Sequence, residues 1–153
     1  MNDLRRKYID SLEKIQSSKY LITISTQKSN YPIETFKKEI RLLNKRLNQK
    51  LIHKRRYKKS PNRVTFYCFF ESSNNKNLTH VHIVLDIPDH FRDRPSSTRI
   101  DRFKKQTFSI VPIVTIMTKY IPETYSIDCR ERHYSVEYST KHYSDYNDNF
   151  DVF

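Results

Sequence analysis

Residues 79–87 read Thr79-His80-Val81-His82-Ile83-Val84-Leu85-Asp86-Ile87 and carry the period of a β-strand. Val81, Ile83, Leu85 and Ile87 alternate with His80, His82, Val84 and Asp86. Successive strand side chains point to opposite faces, so each alternate set shares one face. The wholly apolar set predicts a core face. The other set puts two imidazoles side by side on a rigid element, where both are able to chelate one divalent cation.

The preceding segment, residues 63–71, alternates in the same way. Val64, Phe66, Cys68 and Phe70 take one face, and Thr65, Tyr67, Phe69 and Glu71 take the other. The polar run of residues 72–77 between the two strands is rich in Ser and Asn, as turns are. The two strands are therefore expected to form an antiparallel hairpin with Glu71 near His80. Parity allows Glu71 to face the histidines, which gives His80, His82 and Glu71 as candidate metal ligands.

Upstream, Leu4, Tyr8, Leu12 and Ile15 fall at helical spacing, and residues 19–26 read as a strand with Ile22 and Ile24 on one face and Leu21, Thr23 and Ser25 on the other. Residues 33–52 hold the clearest helix. Phe36, Ile40, Leu43, Leu47 and Leu51 form its apolar stripe, and Lys37, Lys38, Arg41, Lys45, Arg46 and Lys50 load the other face. The basic run continues through His53 and Lys54 to Arg63. Lys45, Arg46, Lys50, Lys54, Arg55, Arg56, Lys58, Lys59 and Arg63 are candidate phosphate contacts, with Tyr57 as a base-stacking residue among them.

Downstream, residues 88–95 read as a loop bounded by Pro88 and Pro95. Ile100, Phe103, Phe108 and Val111 predict a helix that Pro112 stops or restarts. Residues 113–121 fit a strand and a buried helix equally, and residues 124–130 read as a strand. Tyr134, Tyr138 and Lys141 share one helical face within residues 131–143. Residues 144–153 form an acidic, aromatic tail expected to be loosely ordered. Altogether the pattern predicts one domain over residues 1–153, with its core over about 19–143. The fold class is α+β: a central antiparallel five-stranded sheet with helices on one face.

Composition narrows the function classes. The 153 residues contain no Gly, so no Gly-rich phosphate loop exists within the chain and turns fall to Asn, Asp, Ser and Pro. The 29 Lys+Arg against 17 Asp+Glu give a net charge of +12, which points to a polyanionic partner, nucleic acid by default. No long apolar run and no signal-like N-terminus is seen, so no membrane association is expected. The two cysteines, Cys68 and Cys129, are far apart and form no disulfide framework.

A basic aromatic-rich domain, the strand His80-Val81-His82, the carboxylate Glu71 one strand earlier and the later Tyr138-Ser139-Thr140-Lys141 together resemble the HUH endonucleases. The likeness is to their single-tyrosine rolling-circle replication initiators, whose fold is related to RRM and ferredoxin-like domains. The resemblance spans about residues 19–143, with the strand at 20–26 matching the family's first motif by position alone. It implies Tyr138 as nucleophile, Lys141 beside it, and Mn²⁺ or Mg²⁺ held by His80, His82 and Glu71. It further implies a single-stranded or hairpin DNA origin as substrate, and a helicase acting in trans. Localisation would be the prokaryotic cytoplasm at the nucleoid, or the host cell for a virus.

Two other readings stay open. In the related single-strand transposases a polar ligand follows the tyrosine by one helical turn, and His142 occupies that place as an alternative third ligand. A non-enzymatic, RRM-like nucleic-acid-binding module would instead stack bases on Tyr67 and Phe69. Tyr134 is read as a packing or stacking residue.

Overall fold

In a computed structural model, the structure describes residues 3–14, 20–52, 56–72, 78–88, 111–131 and 150–153. The chain runs α1 (Asp3–Leu12), β1 (Tyr20–Ser29), α2 (Ile33–Leu51), a 3₁₀ turn (Tyr57–Lys59), β2 (Thr65–Ser72), β3 (Leu78–Asp86), α3 (Val111–Thr118), β4 (Ser126–Glu131) and β5 (Phe150–Val152). Five strands make one antiparallel sheet in the order β4-β1-β3-β2-β5. The expected α+β class and five-stranded antiparallel sheet are both observed.

The alternation seen in the sequence decides which face is which. Ile22 and Ile24 of β1, Phe66, Cys68 and Phe70 of β2, and Val81, Ile83 and Leu85 of β3 all enter one core. Phe36, Ile40, Leu43 and Leu47 of α2 pack on them, joined by Ile113 and Met117 of α3. Phe36 meets the rings of Phe70 and Tyr125 edge-on, both at 5.8 Å between centroids. Such tilted aromatic pairs add directional packing to the burial of apolar area. On the opposite face, Leu12 of α1 forms a smaller cluster with Phe69 and Val84, flanked by Ile9, Tyr67 and Phe150.

Polar side chains tie the elements where no apolar contact can. Asn48 of α2 grips the backbone of Val64 at both groups. Its Nδ2 donates to the Val64 carbonyl at 2.9 Å, and its Oδ1 accepts from the Val64 N–H at 2.8 Å. Asn44 Nδ2 donates to the same carbonyl at 3.0 Å. These buried amides act as a short ladder rung that brings the start of β2 onto α2. On the next side of α2, the Glu39 carboxylate accepts the Tyr31 hydroxyl at 2.7 Å and the Tyr125 hydroxyl at 2.5 Å, joining α2 to the approaches of two strands. Burial, reinforced by the hydrogen bond to Glu39, pushes the Tyr125 hydroxyl far above the ordinary phenol range.

The turn between β1 and α2 answers for the absence of glycine. Asn30 sits there at φ 55°, the left-handed region that Asn tolerates better than most residues.

Three expectations are corrected. Pro112 lies in the first turn of α3 and does not stop a helix there, because a first-turn proline forfeits no intrahelical bond. Residues 113–121 resolve into the rest of that helix and a following turn; the helix expected before Pro112 lies outside the described residues. The end of the acidic tail is an edge strand: Phe150–Val152 pairs with β2, and Phe66 and Phe153 exchange backbone hydrogen bonds at 2.8 and 3.0 Å. Asp151 reaches Lys37 at 3.6 Å, and the Arg41 guanidinium lies 5.1 Å above the Phe153 ring, so α2's cations hold the tail that a charge count alone marks as loose.

Replacing Asn48 by alanine orphans a buried backbone N–H, whereas Asn44→Ala leaves the Val64 carbonyl still bonded by Asn48. Urea unfolding should therefore show Asn48→Ala costing about 2 kcal/mol or more and Asn44→Ala roughly half that. Equal losses would show that the Val64 N–H is satisfied without Asn48.

Candidate metal centre

The second face of the sheet is organised in rows across strands. One row places Thr23 of β1, His82 of β3 and Phe69 of β2 side by side, and the next places Ser25, His80 and Glu71. Glu71 and His80 are direct register partners, as the hairpin reading anticipated. The His80 Nε2–H donates to Glu71 Oε2 at 3.0 Å, and His82 Nε2 lies 3.6 Å from the same oxygen. The two rings stand nearly perpendicular, 5.1 Å apart at their centroids. Three elements thus contribute to one point, and β1 joins through a hydrogen bond of 3.0 Å between Thr23 Oγ1 and His82 Nδ1.

His82 is buried at 4 % exposure, deep beside Phe69, and His80 and Glu71 are half-buried at the open side. Burial alone would raise the Glu71 carboxyl. The hydrogen bonds and positive charge of His80 and His82 outweigh it and bring Glu71 from 4.5 down to about 2. Glu71 is therefore an anion at neutral pH, aimed at two ring nitrogens.

Together, Glu71, His80 and His82 offer one ligand atom each, all within 4.8 Å of one another. Adjacent ligands of an octahedral Mg²⁺-sized ion are about 3 Å apart, close to both nitrogen–oxygen spacings here. Two neutral imidazoles and a carboxylate are a donor set for Mn²⁺, Zn²⁺ or Fe²⁺ as well as Mg²⁺, so the fit is to a divalent cation. A cation entering takes the place of the proton that His80 now shares with Glu71.

The remaining candidates are placed as follows. Tyr138, Lys141, His142 and Tyr134 lie outside the described residues, as do Lys54 and Arg55. Lys45, Arg46 and Lys50 are exposed on α2, and Arg56, Lys58, Lys59 and Arg63 are exposed beyond it. Because the apolar stripe of α2 packs on the core face, its basic side lies across the sheet from the histidines. The structure does not bring that charge to the metal ligands. Arg46 stacks its guanidinium 5.8 Å over the Tyr120 ring.

Tyr57 is a correction: it is buried at 9 % exposure because the 3₁₀ turn directs it inward, which removes it from base stacking. Phe69 is another, at 3 % exposure beneath Leu12 and 4.9 Å from the Phe150 ring, so it offers no open face to a base. Thr23 is the residue whose part in the site the sequence reading passed over. Strand parity puts it on the histidine face, and only the β1–β3 register pairs it with His82.

Among the described residues, no helix is long and apolar enough to cross a membrane. Comparison with protein-family models, curated proteins and solved structures returns no match.

The low value of Glu71 makes its contribution to stability pH-dependent in one direction. A carboxyl depressed from 4.5 to about 2 stabilises the fold above its unfolded value, and that stabilisation is lost as pH falls toward 2. The stability gap between the native chain and Glu71→Gln should therefore be largest above about pH 5 and narrow steadily in acid unfolding series. A gap that widens toward pH 2 would mean that the histidines do not hold the anion.

Proposed function

We propose that the protein is a metal-dependent single-strand DNA nickase and strand transferase that uses Tyr138 as nucleophile and starts rolling-circle replication. The observation that carries this reading is the convergence of Glu71, His80 and His82 on one point of a rigid sheet. The high positive charge supports a phosphodiester substrate.

The chain's topology is compatible with it. Glu131 ends β4 at one edge of the sheet and Phe150 begins β5 at the other, so the link carrying Tyr138 and Lys141 connects opposite edges of the sheet that bears the ligands.

A cation held by Glu71, His80 and His82 would neutralise charge on the non-bridging oxygens of the scissile phosphate. Tyr138 Oη would attack phosphorus as the bond to the 3′ oxygen breaks, leaving a 5′-phosphotyrosine and a free 3′-hydroxyl that receives the proton. One phosphodiester is exchanged for another, so a later 3′-hydroxyl can reverse the step and rejoin strands. A phenol with an ordinary pKa of about 10 needs help to act as an oxyanion, and Lys141, one helical turn away by spacing, is the cation for that task.

Incubating the protein with Mn²⁺ and pooled single-stranded DNA labelled at either end should give a covalent protein–DNA adduct retaining only the 3′-side label. Tyr138→Phe should abolish the adduct while leaving salt-sensitive binding intact, and His80→Ala with His82→Ala should abolish both Mn²⁺ binding and cleavage. An adduct that survives Tyr138→Phe moves the nucleophile elsewhere, and a library left wholly uncut sinks the enzymatic reading.

A further inference from the structure

We propose that Thr23 is the positioning residue that fixes His82 as an imidazole with its proton on Nδ1 and its lone pair on Nε2. The proposal takes its purpose from the metal-site reading above. A neutral histidine binds metal through one nitrogen only when the other carries the hydrogen, and the neighbour of that second nitrogen decides which tautomer prevails. At His82 the neighbour is Thr23 Oγ1, 3.0 Å from Nδ1. Nε2 lies 3.6 Å from Glu71 Oε2, beyond the length of a good hydrogen bond, so the contact to Glu71 is electrostatic and leaves Nδ1 as the bonded side.

The sheet makes this contact by register. Thr23 is the cross-strand partner of His82, and paired side chains on one face of an antiparallel ladder stand about 5 Å apart at Cβ, within reach of a hydroxyl and a ring nitrogen. On its other side Thr23 is the partner of Asp128, which accepts but does not donate when ionised. A carboxylate on that side of the row favours turning the hydroxyl hydrogen toward β4, with an oxygen lone pair left for the Nδ1–H. Threonine also suits the position as a strand residue, since its β-branch restricts χ1 and holds the hydroxyl in place.

His80 is oriented by other means. Its partner across the same pair of strands is Ser25, whose hydroxyl donates to the Thr26 carbonyl at 3.4 Å, and its own Nε2 bonds to Glu71. The two histidines are thus distinguishable: His80 is held by a ligand of the site, and His82 by a residue behind it. Loss of a ring-orienting partner of this kind weakens metal binding by about ten- to a hundredfold in other proteins.

The test uses the full chain labelled with ¹⁵N-histidine and free of metal, at a pH where the imidazole is neutral. Long-range ¹H–¹⁵N correlation should show the native His82 with hydrogen on Nδ1. Thr23→Val, which keeps the shape and removes the hydroxyl, should move His82 to the Nε2–H form or to a mixture, and Thr23→Ser should restore the native form. Calorimetric titration with Mn²⁺ alone should show affinity falling by about tenfold or more in Thr23→Val and by less than about threefold in Thr23→Ser. Thr23→Ala replaces the valine variant where thermal unfolding shows the fold impaired.

A native His82 already in the Nε2–H form, or a folded hydroxyl-free variant with native tautomer and native affinity, overturns the proposal. Should the native chain bind no Mn²⁺ while the hydroxyl still dictates the tautomer, the metal reading fails and the positioning role of Thr23 stands.

Discussion

The site depends on one register, the pairing of Glu71 with His80 across β2 and β3. A strand's side chains alternate, so a slip of one residue would turn Glu71 to the other face and carry Phe66, Cys68 and Phe70 out of the core. Those three are almost wholly buried against α2. The apolar face therefore resists slippage strongly, and the polar face inherits its alignment at no cost of its own. The carboxylate–imidazole contact needs no specific device to hold it, because the hydrophobic core on the reverse side already does so. The Asn48 grip on Val64 belongs to the same arrangement, anchoring the start of β2 to α2 shortly before Phe66 enters the core.

How far the chain could be read without coordinates follows from which forces are local. The period of two in residues 63–71 and 79–87 exposed the hairpin, its core face and Glu71 as the neighbour of His80, since alternation and a short polar turn leave few pairings. The stripe of α2 was equally plain. The turn inward of Tyr57 was not, because an aromatic within a basic run looks like a stacking residue until the 3₁₀ turn decides its direction. The last strand was hidden for a related reason. Asp151 and Phe153 become ordered through Lys37, Arg41 and Phe66, which are distant in sequence, and no local pattern announces such contacts. Thr23 was visible as a residue on the correct face, but its partner depended on the β1–β3 register.

Charge and chemistry occupy different sides of this sheet. The basic side of α2 points away from the core face, and the metal ligands point away from the core on the reverse side. Screening limits the reach of exposed charges to about 8–10 Å at physiological ionic strength, less than the thickness of a helix laid on a sheet. Lys45, Arg46 and Lys50 can therefore raise the local concentration of a polyanion but cannot neutralise a phosphate at Glu71. Under the proposed function, the cation and the residues on its own face must do that, so affinity and catalysis should respond to separate sets of residues.

The same separation explains how the site persists as a built feature before any cation arrives. Three ligands brought together without a counter-charge would repel or fold away if all were anions. Here one carboxylate faces two imidazoles, and the proton on His80 stands where a cation would bring positive charge. Binding then becomes an exchange, with a proton released from between His80 and Glu71 as the cation enters. The donor atoms begin close to their final spacing, so little reorganisation opposes the exchange, and its selectivity falls on the one part of the site that both states share, the orientation of the two rings.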